Sequence, residues 1–99
     1  MSNFKKIIDS STLTLIDFYA TWCGPCKTMH PILDELKKHF GDKIRVLKID
    51  VDKNQQIADQ LKIRGVPTLM LFKSGEKLWR ESGVYPLNKL ISIIKPHIN

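Results

Sequence analysis

Three short apolar runs, separated by stretches with helical spacing, limit the folds open to this chain. They are LTLIDFYA at residues 13–20, IRVLKIDV at 44–51 and TLMLF at 68–72. Each is rich in strand formers and long enough for a buried strand. After the first, Met29, Ile32, Leu33, Leu36 and Phe40 recur at helical spacing and place one apolar stripe on a helix. Gly41 stands where a C-terminal cap belongs, and Pro31 inside the helix removes a hydrogen bond and predicts a kink. Residues 54–61 fit a short helix with Ile57, Ala58 and Leu61 inward. Ser74-Gly75 marks a turn between the third run and a fourth, KLWRES, so these two predict an antiparallel hairpin. Leu87, Leu90, Ile91, Ile94 and Ile98 share the stripe of a final helix with Pro86 in its first turn, and SNFKKIIDS supplies another short helix at the start.

The predicted order is α–β–α–β–α–β–β–α, an α/β class. Strands separated by helices predict right-handed parallel crossovers, with the last pair adding an antiparallel edge. The expected architecture is a mixed four-stranded sheet with helices on both faces. Ninety-nine residues suffice for one core and not for two, so residues 1–99 are read as a single domain.

Charge narrows the function classes. The formal net charge is +6, but the sixteen basic residues are spread as singles and pairs such as Lys5-Lys6 and Lys37-Lys38. There is no long basic run and no aromatic-interleaved repeat, so the chain is not expected to bind nucleic acid. No apolar run approaches the roughly 20 residues needed to cross a bilayer, and the start has no signal-peptide pattern. The expectation is a soluble cytoplasmic protein that works without a membrane.

The chemistry concentrates in TWCGPC, residues 21–26, which holds the only two cysteines. They follow the first strand directly and open the first long helix. Cys23 would stand at that helix N-terminus, where unpaired N–H groups and the helix dipole favour an anion, and the anion available is a thiolate. Cys26 lies one turn further in. Gly24 permits the tight path and Pro25 suits a first helical turn. A structural staple fails on magnitude, since so small a loop stabilises little. Zinc is the other rival, because Cys23, Cys26 and His30 have ligand-like spacing. A fourth ligand is missing, however, as His39 and His97 have no evident route to the site. No metal and no bound cofactor are expected. His30 is read as an exposed helix residue able to tune the nearby thiols, and the cysteines as a pair poised for thiol–disulfide exchange.

IDFYATWCGPCK followed by PILDEL, and later IRGVPTLMLFKSGE, resemble the thioredoxin family from about Leu13 to the C-terminus. For that family Cys-x-x-Cys after a strand is the standard example of a redox motif. The resemblance implies a thioredoxin fold and a thiol–disulfide oxidoreductase that reduces disulfides in proteins. It makes Cys23 the exposed attacker and Cys26 the buried resolving thiol. Asp17 becomes a buried carboxylate that moves a proton to or from Cys26, with Lys48 near it. It implies a cis Val66–Pro67 bond against the cysteines and a docking groove lined by Trp22, Val66 and Gly83. The partners implied are disulfide-containing proteins and an NADPH-dependent thioredoxin reductase, with the chain a monomer. Family members usually carry an extra N-terminal strand, for which few residues precede Leu13, so the sheet has five strands only if one forms there. Ser82 stands where the family is commonly apolar, and Tyr19 where it often has tryptophan. Lys62 and Arg64 predict a basic rim that favours acidic substrates. Two other functions share this surface: a glutathione-linked or oxidising relative, and a redox-inactive docking subunit.

Overall fold

The computed structural model describes residues 2–98. Its elements in chain order are α1 (Ser2–Ile8), β1 (Leu13–Tyr19), α2 (Gly24–Phe40), β2 (Ile44–Asp50), α3 (Gln55–Gln60), β3 (Thr68–Lys73), β4 (Glu76–Ser82) and α4 (Leu87–Ile94). Single 3-10 turns follow α2 and α4. The sheet has four strands in the order β2-β1-β3-β4.

Strand alternation divides the core into two layers. On β1, Leu13 and Leu15 face α2 and α4 together with Leu69 and Leu71 of β3, while Met29, Leu33, Leu36, Leu90 and Ile94 come from the helices. The intervening residues Ile16, Phe18, Met70 and Phe72 point the other way, onto Phe4 and Ile8 of α1 and the partly buried Ile57 beside them. The two-residue period of a strand puts Asp17 on the α2 side of β1, in line with Leu13 and Leu15.

One expectation is corrected. β1 and β2 are parallel, as their long crossover helix predicts, but β3 runs antiparallel to β1. The reason is length. The six residues of α3 rise only about 9 Å, whereas the seven-residue β2 runs about 23 Å. So short a helix covers less than half of the way back to the start of β2, and β3 begins at the end where β2 stopped. Phe18, near the end of β1, therefore pairs with Thr68, the first residue of β3.

Local chemistry explains the ends of the other elements. α2 runs unbroken through Pro31 and ends at Gly41, whose φ of +57° favours glycine and whose N–H reaches Lys37 O. Ser74 and Gly75 both have positive φ, the backbone of a two-residue hairpin between β3 and β4. Their N–H groups donate to Ser10 O and Ile8 O, which ties α1 to the sheet. α4 stops at Ile94, short of the predicted stripe, because Pro96 has no N–H to continue an α-helix. Ile98 still packs on the same core.

Candidate active site

The C-terminal ends of β1 and β2 and the start of β3 meet at one edge of the molecule, and the cysteines lie there. Cys23 is the N-cap of α2, with extended backbone and its sulfur accepting the Cys26 N–H at 3.1 Å. Pro25 occupies the first helical turn, where a missing N–H costs nothing. The two sulfurs form a disulfide, with Cα atoms 5.3 Å apart. Ala20 and the partly buried Val51 and Val66 pack around it.

The sequence reading of Cys23 as an exposed group needs correction. Cys23 is 4% exposed and Cys26 is 0%. Of the two, only Cys23 keeps any exposure. Its low exposure has a cause: the 65–67 loop covers it, with Val66 O 3.7 Å from Cys23 Sγ. A disulfide sulfur carries no hydrogen, so this is a packing contact; a reduced thiol there would have an acceptor.

The Val66–Pro67 bond is cis. Pro67 is buried, and its carbonyl accepts the Gly83 N–H at 2.9 Å. Gly83 has a φ of +102°, which few side-chain-bearing residues adopt, so it supports the loop from the β4 side. Thr68 Oγ1 donates to Gly65 O at 2.6 Å and lies 3.0 Å from Ser82 Oγ. That bond gives a reason for a serine at 82. Arg80 donates to Leu61 O at 2.6 Å and to Lys62 O at 3.0 Å, fixing the segment that leads into the loop.

A groove of about 280 Å³ runs beside the disulfide, lined by Trp22, Ile63, Arg64 and Val66 on its cysteine side. Trp22 is 71% exposed, with its Nε1–H donating to Asp52 Oδ2 at 2.9 Å. Asp50 in turn holds that turn, its Oδ1 accepting from the N–H groups of Asp52 and Lys53. Gly83 is not part of the groove wall. The expected basic rim is also modified, since Asp52 and Asp59 line the groove alongside Arg64. Lys62 is not among the residues that line it.

Beneath the cysteines lies Asp17, 0% exposed, with no hydrogen-bond partner on either carboxylate oxygen. Burial pushes its carboxyl up to about 6 from 3.8, while the charge of Lys48 pulls it back down. Lys48 pairs across the strands with Asp17 in register and directs its ammonium to Asp34, 3.7 Å away on α2. His30, one turn beyond Cys26, places Nε2 3.8 Å from Asp17 Oδ2. The sequence reading of His30 as an exposed helix residue missed this contact, and no signal in a short window could have found it. Asp52 and Arg80 were also missed. Asp50-Val51-Asp52 after a strand is a turn signal that could have pointed to the first of them. Among the described residues no group of three or more His, Cys, Asp or Glu side chains is placed to hold a metal ion.

A disulfide at a helix N-terminus, with a buried carboxylate on the preceding strand and a peptide-sized groove at its flank, defines a dithiol–disulfide exchange protein. The profile of the Thioredoxin family matches residues 1–96. The chain is 41% identical to "Thioredoxin 1" of Nostoc sp., covering 98% of this chain and 92% of that protein. It is 43% identical to "Thioredoxin" of Rickettsia felis, with 98% and 93% covered. The structure matches oxidised mitochondrial thioredoxin 3 of Saccharomyces cerevisiae with a TM-score of 0.84 at 36% identity, over 95% of this chain and 88% of that one. The chain belongs to the thioredoxin family. It is a thiol–disulfide oxidoreductase of the protein-disulfide reductase type, and its redox group is the Cys23–Cys26 pair itself.

Proposed function

We propose that this chain reduces disulfides in other proteins with Cys23 as attacking sulfur, Cys26 as resolving sulfur and Asp17 as the base that serves Cys26. The observation that carries this reading is the graded burial at the site: Cys23 keeps slight exposure, Cys26 has none, and Asp17 is fully buried on the strand that leads into them.

In the reduced chain the N-cap position and the Cys26 N–H favour a thiolate at Cys23. Cys23 Sγ⁻ attacks one sulfur of the substrate disulfide, forming a mixed disulfide and expelling the other substrate sulfur as a thiolate, which takes a proton from solvent. Cys26 then gives its proton to the Asp17 carboxylate. Its thiolate attacks Cys23 Sγ, the mixed disulfide breaks, and the second substrate thiolate leaves and is protonated by solvent. Two electrons pass from the dithiol to the substrate, and Cys23–Cys26 becomes the disulfide seen here.

Trp22 and Val66 form the docking wall, with an extended substrate segment lying along the loop before Pro67. Gly24, Pro25, Pro67 and Gly83 hold the geometry, and Lys48 sets how readily Asp17 ionises. Residues 1–99 act as one domain and as a monomer. An NADPH-dependent thioredoxin reductase regenerates the dithiol, so the chain transports electrons in the cytoplasm. Among the described residues no helix is long and apolar enough to cross a membrane.

The test is reduction of a model protein disulfide, with NADPH and purified thioredoxin reductase as donor in one arm and glutathione in the other. Turnover is expected in the first arm and loss of all measurable turnover in Cys23→Ser. Cys26→Ser should accumulate a mixed disulfide visible on a non-reducing gel. Wild-type turnover in Cys23→Ser, or no turnover with either donor, overturns the reading. Faster turnover with glutathione would reassign the donor.

A further inference from the structure

The buried base has to exchange its proton with solvent. After Asp17 takes the proton of Cys26, that proton can return to the Cys26 thiolate when a reductant reopens the disulfide, but at a pH above about 6 the carboxyl gives it up while the disulfide stands and must be reprotonated for the next reduction. Both Asp17 oxygens are sealed from solvent and lack a partner. Its neighbours from each packed element are Lys48 on β2, Asp34, Cys26 and His30 on α2, and Tyr19 on its own strand. The Lys48 ammonium is engaged with Asp34. The thiol is where the proton came from.

His30 alone among these joins Asp17 to solvent. Its Nε2 is buried, without a hydrogen-bond partner and 3.8 Å from Asp17 Oδ2. Yet the side chain as a whole is 34% exposed, so the far edge of the same ring reaches water. The edge-on contact with Tyr19, ring centroids 5.1 Å apart at 87°, holds the imidazole in this orientation. A distance of 3.8 Å is too long for a hydrogen bond, and a water bridging it with ~2.8 Å legs would be bent below about 90°. The two groups meet directly when the ring swings in by roughly 1 Å to reach hydrogen-bond distance.

We propose that His30 is a positioning residue that carries the Asp17 proton to solvent between turnovers. The proposal rests on the reading of Asp17 as the base for Cys26. In the step, protonated Asp17 donates to the free Nε2 of neutral His30. The resulting imidazolium releases a proton from Nδ1 to water, and the ring returns to a neutral form. No electrons move, and one proton crosses from the buried carboxyl to solvent. Burial shifts the two groups toward each other, the carboxyl upward and the imidazole downward, the latter helped by Lys48 and opposed by Asp34.

The experiment compares wild type, His30→Ala, His30→Gln, Asp17→Asn and the Asp17→Asn/His30→Ala double variant in reduction of a model protein disulfide. Rates are followed from pH 5.5 to 9, with and without added imidazole, and thermal melts check folding. His30→Ala should be slower by roughly three- to tenfold near pH 7, a fraction of what a general base typically contributes. Imidazole should restore it and leave wild type unchanged. In the Asp17→Asn background the second substitution should cost nothing further. His30→Gln, which keeps the bulk of the side chain, should be slowed like His30→Ala. A wild-type rate and pH profile in either His30 variant overturns the proposal, as does slowing that imidazole leaves unmoved and that adds to Asp17→Asn. If Asp17→Asn itself runs at the wild-type rate, the reading of Asp17 as base fails and this one falls with it. If only the His30 variants do, Asp17 stands and this proposal alone falls.

Discussion

One face of the sheet holds a buried carboxylate without a partner and the other does not, and that difference separates what stabilises this chain from what makes it react. On the α1 side, β1 contributes Thr14, Ile16 and Phe18, and its one polar group, the Thr14 hydroxyl, is satisfied by Thr12 O. On the α2 side it contributes Leu13, Leu15 and then Asp17 in line with them, where periodicity would call for a third apolar residue. The first face is close to a hydrophobic core in the ordinary sense. The second spends part of its stability on a carboxylate held without a partner, at the end nearest the cysteines. A core position that breaks the apolar pattern beside a nucleophile marks a functional group more firmly than any exposed residue here does.

The contrast is open to attack from both sides. Phe18→Ala removes a fully buried ring from the apolar face. It should cost about 3–5 kcal/mol and lower the melting temperature by on the order of 15–20 °C, while the disulfide-reduction rate of the folded fraction stays near wild type. A large loss of rate at temperatures where the variant is folded would show that the faces are not separable.

Asp17→Asn should do the reverse. Because Asp17 keeps its proton up to about pH 6 when folded and only to 3.8 when unfolded, the stability linked to it is full below 3.8 and is lost as pH rises through about 6. The amide imitates the protonated form, so the variant should gain on the order of 2–3 kcal/mol at pH 7–8 and nothing near pH 3, read by denaturant unfolding. Its turnover should fall at the same time. Equal stability of the two proteins at pH 8 would show that the carboxylate is not desolvated.

Lys48→Met gives a smaller effect of predictable sign. Lys48 lowers the Asp17 carboxyl, so removing the ammonium should move the acid limb of the pH–rate profile upward. A limb that moves down, or does not move, would separate Lys48 from Asp17. The least effect concerns the approach to the Pro67 loop. Lys62 has a φ of +55°, a conformation that costs a residue with a Cβ and not a glycine. Lys62→Gly should therefore stabilise by about 0.5 kcal/mol, since relief of strain exceeds the added unfolded-state freedom by a small margin. A loss of stability would mean that the lysine side chain contributes packing.

Most of the framework was legible because it is local. The strand runs, the α2 stripe, Gly41 and the Ser74-Gly75 turn each act within a few residues. The junction of β1 and α2 placed the cysteines at a helix start for the same reason. Three features were not legible. The direction of β3 depends on the length of α3 relative to β2, a comparison between elements that no window contains. A parallel β3 would have carried Pro67 to the opposite end of the sheet from Cys23. The low exposure of Cys23 depends on the 65–67 loop, more than forty residues away in sequence. And His30 reads as a surface residue until β1 brings Asp17 beneath it.

One consequence of the strand order concerns company in solution. β2 lies at one end of the sheet, so among the described residues one of its sides is unpaired, and an unpaired strand is a template for another chain. Its sequence, IRVLKID, would be adhesive but for the charges at 45 and 48. Arg45 folds its guanidinium back onto Ile7 O and Thr14 Oγ1, and Lys48 directs its ammonium to Asp34. Lys48→Met removes one of the strand's two cations, so its pH profile is to be read in dilute solution, where pairing of that edge between copies is least favoured.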